Sequence, residues 1–140
     1  MLQNYTYKFR LYPNESDKIL LSKHFGCCRF VYNYFLDNTK KIYEETKQYN
    51  TYYKNCELLK EIKKEYEWLN EVNSQSLQIS LKNLDVSFQR FFKKTSGFPK
   101  FHKKSNTQSF SVTNQSFKIE GNRVVLPKFR RESDSITIER

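Results

Sequence analysis

A β-strand pattern opens this chain and no second one follows before residue 109, so the fold has to bring its two ends together. From Gln3 to Tyr12 the residues alternate, with Tyr5, Tyr7, Phe9 and Leu11 on one face and Lys8 and Arg10 on the other. That is the period of a half-buried strand. A lone strand leaves its backbone donors and acceptors unpaired and does not persist in water. The candidates to pair it are four short patterns near the other end: Ser109–Thr113, Phe117–Glu120, Val124–Leu126 and Ser135–Glu139. Gly121-Asn122 suits a hairpin turn between two of them, with other turn registers left open.

Between the strands the pattern is helical. Pro13 stops the first strand, Asn14 is an N-cap candidate, and acids fill the following turn. Ile19, Leu20 and Phe25 mark a short helix that Gly26 is expected to end. A second helix runs from about Cys28 to Thr46, with Val31, Phe35, Asn38 and Ile42 in one line. After the link Gln48–Tyr53, a third carries Leu58, Leu59, Ile62, Tyr66 and Leu69. Asn73 opens the fourth, where Leu77, Leu81, Leu84, Phe88 and Phe91 fall at helical spacing until Gly97-Phe98-Pro99 breaks it. The reading is an α+β fold, with the helices inserted into a small β unit. At 140 residues it is one domain or a domain with an insertion, and with 12 Phe and 10 Tyr its core is built of rings.

The formal charge of +10 is unevenly placed. Residues 90–131 hold eleven Lys/Arg against one acid, Glu120, whereas residues 1–89 are close to balance. Cations interleaved with aromatic rings suit a polyphosphate with flat bases. A membrane is the poorer partner, because no apolar run approaches ~20 residues and no signal peptide precedes the first strand. A cytoplasmic protein is expected. Cys27, Cys28 and Cys56 are an odd set without framework spacing, which points to buried thiols in a reducing compartment and to no metal or cofactor.

No catalytic constellation emerges. Glu44-Glu45 and Glu65-x-Glu67 lie in Lys-rich helices, where ion pairing accounts for them. His24 and His102 have no partner that spacing identifies. The binding signal is the run Arg90-Phe91-Phe92-Lys93-Lys94 followed by Phe98-Pro99-Lys100-Phe101-His102-Lys103-Lys104. Lys93, Lys94, Lys100, Lys103 and Lys104 are phosphate-binding candidates. Phe91 and Phe92 read as helix core, while Phe98 and Phe101 are divided between packing and base stacking. Ser74, Gln75 and Gln78, at the start of the fourth helix, offer short polar groups to base edges; glutamine can bond adenine in two places.

Several stretches together carry a family resemblance. Tyr7-Lys8-Phe9-Arg10-Leu11-Tyr12-Pro13-Asn14 and Gly26-Cys27-Cys28-Arg29-Phe30-Val31-Tyr32-Asn33-Tyr34-Phe35-Leu36 resemble the start of TnpB, the insertion-sequence protein historically called a transposase. Trp68-Leu69-Asn70-Glu71-Val72, Leu77-Gln78-x-x-Leu81-x-x-Leu84, Gly97-Phe98-Pro99-Lys100-Phe101 and Leu126-Pro127-Lys128 continue the likeness in order over nearly all of 1–130. The region is often described as a transposase helix-turn-helix domain. The resemblance implies an RNA-guided DNA endonuclease family. Its N-terminal β-barrel, the wedge, accepts a helical recognition insert. On this chain that means wedge strands at 1–13 and 105–140, a four-helix recognition bundle at 14–94 and a basic connector at 95–104, with the barrel incomplete. It also implies that Ser74, Gln75, Gln78, Thr113 and a tyrosine of the link, Tyr52 or Tyr53, face the DNA motif next to the target.

Family catalysis uses three carboxylates of a RuvC-like fold and a four-cysteine zinc element. Both lie beyond this stretch, and 132–140 fits the family poorly. The chain is therefore expected to be a non-catalytic, truncated part of such a protein that binds double-stranded DNA and guide RNA. Two alternatives stand beside this: the front of an active nuclease completed by a downstream polypeptide, and a remnant without function.

Overall fold

In the computed structural model, which describes residues 2–113, 115, 117–128 and 136–139, three α-helices stand beside a four-stranded antiparallel sheet. The order is β1 (Arg10–Tyr12), α1 (Glu15–Thr46), α2 (Tyr52–Glu65), a 3-10 turn (Glu67–Glu71), α3 (Ser74–Phe92), β2 (Lys118–Glu120), β3 (Arg123–Val125) and β4 (Ile136–Glu139). The fold is α+β, as expected. The four-helix bundle is corrected to three helices and a 3-10 turn, and the described strands form an open sheet rather than a barrel.

Asn14 starts α1 with a reciprocal cap. Its Oδ1 accepts from the Asp17 N–H at 2.8 Å, and its own N–H donates to Asp17 Oδ2 at 3.1 Å. The helix then runs unbroken to Thr46, through Gly26, where a stop was expected. Glycine in a helix interior costs about 1 kcal/mol relative to alanine. The buried line His24, Cys27, Cys28, Val31, Tyr32, Phe35, Leu36, Thr39 continues in phase across it and outweighs that cost. Lys47, at φ 59°, ends the helix in the left-handed conformation.

Val31, Phe35 and Leu36 of α1, Leu59 of α2, Leu69 of the 3-10 turn and Leu77, Leu81, Leu84 and Phe88 of α3 form the main core, all almost fully buried. Each such side chain stabilises the fold by roughly 1.5–3 kcal/mol. Cys27 and Cys28 are thiols within this core, and burial beside Cys28 pushes the Cys27 thiol up to about 11. A second, smaller cluster joins Val124, Ile136 and Ile138 of the sheet to Leu20 and Leu21, near the start of α1. The sheet thus sits over one end of the longest helix.

The two chain ends do meet. The strand order is β1-β4-β3-β2, with Arg10, Leu11 and Tyr12 opposite Glu139, Ile138 and Thr137. Glu120 pairs with Arg123 across Gly121-Asn122, and only Gly121 of the two turn residues has a positive φ, 60°, the pattern of a type II′ turn. Two expected strands shrink or vanish. Only residues 10–12 of the first pattern are strand, and Tyr5, Tyr7 and Phe9 are 71%, 74% and 39% exposed, since no described layer packs over them. Ser109–Thr113 is irregular, because its side chains and carbonyls dock on the helices in place of a ladder. Phe110 packs on His24 and Phe25, and the Ser111 carbonyl accepts from Ser76 Oγ at 2.7 Å. Ser135 lies outside the described residues.

Candidate nucleic-acid interface

The first turns of α2 and α3 border one hollow, lined by Tyr52, Tyr53, Cys56, Leu59, Lys60, Lys63, Ser74 and Gln78. Thr51 caps α2, its hydroxyl accepting from the Lys54 N–H, and so fixes where Tyr52 and Tyr53 project. Tyr53 is 80% exposed, whereas Tyr52 is half-buried with Lys82 Nζ 5.3 Å from its ring centre. On α3, Ser74 and Gln75 lie one turn from Gln78, so the three share a face. Lys63 Nζ donates to Ser74 Oγ at 2.6 Å, and Thr113 Oγ1 donates to Gln75 Oε1 at 2.7 Å. The candidates for facing DNA, with both alternative tyrosines counted, are therefore brought to one end of α3: four around the hollow, and Gln75 and Thr113 as a bonded pair beside it.

The start of α3 is itself held from α1. His24 Nδ1–H donates to the Leu20 carbonyl at 2.9 Å, which leaves Nε2 to accept the Asn73 N–H at 3.2 Å. Asn73 does not cap α3 with its side chain; its Nδ2 donates to Ser76 Oγ instead. Burial lowers the His24 pKa, opposed by the Leu20 hydrogen bond and reinforced by the Lys128 charge, so the ring is neutral and can accept. The sequence offers no partner for His24 because the partner is a backbone N–H 49 residues away.

The connector is anchored at two points. Phe98 sets its ring edge-on against Phe88 at 5.4 Å and Phe91 at 5.1 Å, so it packs and is no stacking face. Asn33 then grips the backbone of His102, its Nδ2 donating to the His102 carbonyl and its Oδ1 accepting the His102 N–H, both at 2.8 Å. Between these anchors Lys100 and Phe101 face solvent, Phe101 at 46% exposure. Lys93, Lys94, Lys103 and Lys104 are exposed too, with Lys94 at φ 62° just past the end of α3. The ion pairs among the described residues are all on or between helices and the 3-10 turn: Lys18–Glu15, Lys23–Glu71, Lys41–Asp37 and Lys64–Glu61. None uses a connector lysine. Arg130 and Arg131, the last cations of the basic stretch, lie outside the described residues.

Lys60 and Lys63 were not singled out from the sequence. They belong to a helix whose lysines and glutamates nearly cancel, so their charge carries no signal there. Burial, and then the nearby Lys128 charge, lowers the Lys63 pKa, which marks two cations converging by the hollow. Among the described residues no cluster of three His, Cys, Asp or Glu could hold a metal ion, and no helix is long and apolar enough to cross a membrane.

An open four-stranded sheet joined to a three-helix unit, with a polar hollow and an exposed cationic strap, makes this an α+β protein. Residues 1–48 match a helix-turn-helix domain of the OrfB/IS605 type, although here that segment is β1 followed by a single unbroken helix. The chain is 35% identical over 126 residues to InsQ of Escherichia coli (strain K12), named as a candidate RNA-guided DNA endonuclease. That match covers 87% of this chain and 31% of InsQ. A similarly named protein of Streptomyces pristinaespiralis is 32% identical over 125 residues, 87% of this chain and 31% of its own length. Virulence protein VsdF of Salmonella dublin is 32% identical over 108 residues, covering 69% of this chain and 91% of VsdF. The chain belongs to the TnpB family and corresponds to its N-terminal region. It spans about a third of the two endonuclease-named relatives.

Proposed function

We propose that this chain is a nucleic-acid-binding unit that reads a short motif in double-stranded DNA at the α2/α3 hollow and holds phosphates, including those of a guide RNA, along its connector. The observation that carries the reading is convergence: Tyr52 and Tyr53 of α2 and Ser74 and Gln78 of α3 line one concavity beside Lys60 and Lys63. Fixed polar groups at a helix start suit base edges, and lysines suit the flanking phosphates. Lys93, Lys94, Lys100, Lys103 and Lys104 supply the sequence-independent part of the affinity. In this reading the unit itself does no chemistry, and 14–94 is an insert between wedge strands at 1–13 and 105–140, joined by the connector at 95–104.

A second reading, that the region works as the front of an RNA-guided DNA endonuclease, is supported by the 35% identity to InsQ. Selection of bound duplexes from a randomised pool, with and without co-expressed RNA, tests both. An enriched motif supports readout by the hollow, and cutting of the selected duplexes once a downstream nuclease polypeptide is co-expressed supports the second reading. Binding without any enriched motif rules readout out.

A further inference from the structure

A second concavity lies away from the α2/α3 hollow, where the connector crosses α1 and α3. It encloses about 240 Å³ and continues into an open groove that shares Tyr32, His102 and Lys103 with it. Its wall includes Arg29 and Tyr32 from α1, Asn83 from α3, and His102, Lys103 and Gln108 from the connector and the segment after it. Two cations and several amides line it, and among the described residues no carboxylate does. Arg29 gives one N–H to Gln108 Oε1 at 2.8 Å and makes no ion pair among the described residues. Its remaining donors form the fork that matches a phosphate.

The ring geometry points the same way. His102 lies flat on Tyr32, with centroids 3.8 Å apart and planes 10° from parallel. Tyr32 is buried and His102 is exposed, so the stack is closed on one side and open on the other. Partial desolvation of the ring lowers the His102 pKa, which keeps it neutral near pH 7. A neutral ring backed by a second ring is a stacking platform for a base. A base-paired duplex has no free face to offer it, whereas an unpaired nucleotide does.

We propose that this cleft is a nucleotide subsite for a single strand: Arg29 and Lys103 hold one phosphate, and the base stacks on His102 within reach of the Asn83 amide. The inference rests on the nucleic-acid reading above but concerns a surface other than the hollow, one that shares Lys103 with the connector, and a different form of ligand. It assigns Arg29, Tyr32, Asn83 and His102 a role outside the motif-reading hollow.

The test compares the full chain with Arg29→Gln, His102→Ala and His102→Phe on single-stranded RNA and DNA oligonucleotides of about ten nucleotides, each with one 2-aminopurine. Duplex DNA is titrated in parallel. His102→Ala keeps the backbone groups that Asn33 grips, and a thermal melt checks that each variant folds. Arg29→Gln and His102→Ala should each weaken single-strand binding by roughly tenfold and leave duplex binding within about twofold of the parent. Fluorescence quenching by the parent should vanish with His102→Ala and return with His102→Phe. Unchanged single-strand affinity and quenching in folded Arg29→Gln and His102→Ala would overturn the subsite while duplex binding stands. Loss of binding to every nucleic acid by the parent chain would instead remove the underlying reading.

Discussion

In the proposed function, the hollow at the start of α3 and the connector after its end use opposite means on the same kind of partner. In and beside the hollow, polar groups are few and several are tied: Lys63 to Ser74, Thr113 to Gln75, and the helix start itself to His24. On the connector, cations are many and exposed, and the backbone is held by Asn33 and by the Phe98 ring. Groups held at fixed positions can discriminate one base edge from another, while solvent-exposed lysines lower the energy of any phosphate chain alike. Choice and affinity are thereby assigned to separate places, and substitutions should separate them.

The largest effect expected is from the connector. Reversing charge at Lys100, Lys103 and Lys104 together should lower duplex affinity by roughly two to three orders of magnitude at low salt, equally for every sequence, with a shallower salt dependence. Gel-shift titrations over a salt series measure it, and a loss confined to one motif would contradict the assignment. Asn33→Ala comes next. It removes both bonds to the His102 backbone, so a chemical melt should show a loss of ~1–3 kcal/mol, and binding should fall with the displaced strap. Gln78→Ala should cost ~1–3 kcal/mol per lost base contact on the preferred motif and nothing on other duplexes. Equal weakening on all of them would mean that the hollow does not read sequence.

The smallest effect concerns acid. The folded-state pKa of His24 lies below its unfolded value of about 6.5, so the unfolded chain binds more protons as pH falls. The stability His24 contributes is therefore complete above about pH 6.5 and declines below it, because a protonated ring cannot accept the Asn73 N–H. His102, also lowered by burial, acts with the same sign. Thermal melts should show a lower Tm at pH 5.5 than at pH 7.5, reflecting a stability loss of about 1 kcal/mol, with the difference reduced in His24→Gln. A pH difference unchanged in that variant would place the acid sensitivity elsewhere.

Local rules exposed some of these features and missed others. The α3 stripe Leu77, Leu81, Leu84, Phe88 was legible because helix period and burial agree along it. Asn14 was legible because a cap is a property of four neighbouring residues. Gly26 misled, since propensity is weak against a buried line that continues in phase on both sides. The alternation of Tyr5, Tyr7 and Phe9 showed which face is apolar, but burial needs an opposing layer, and that lies outside any local pattern. The connector's charge was legible by count. The roles of Asn33, His24, Lys60 and Lys63 were not, because each depends on a residue that only the fold brings near.

The division of labour between charge and shape is tested most directly by the salt dependence of binding, measured for the parent and Gln78→Ala on the selected motif and on a scrambled duplex. The account predicts parallel log–log salt lines, with Gln78→Ala lowering only the motif line and leaving its slope unchanged. A folded chain that binds neither duplex in dilute buffer, or whose affinity does not change with salt, would contradict it.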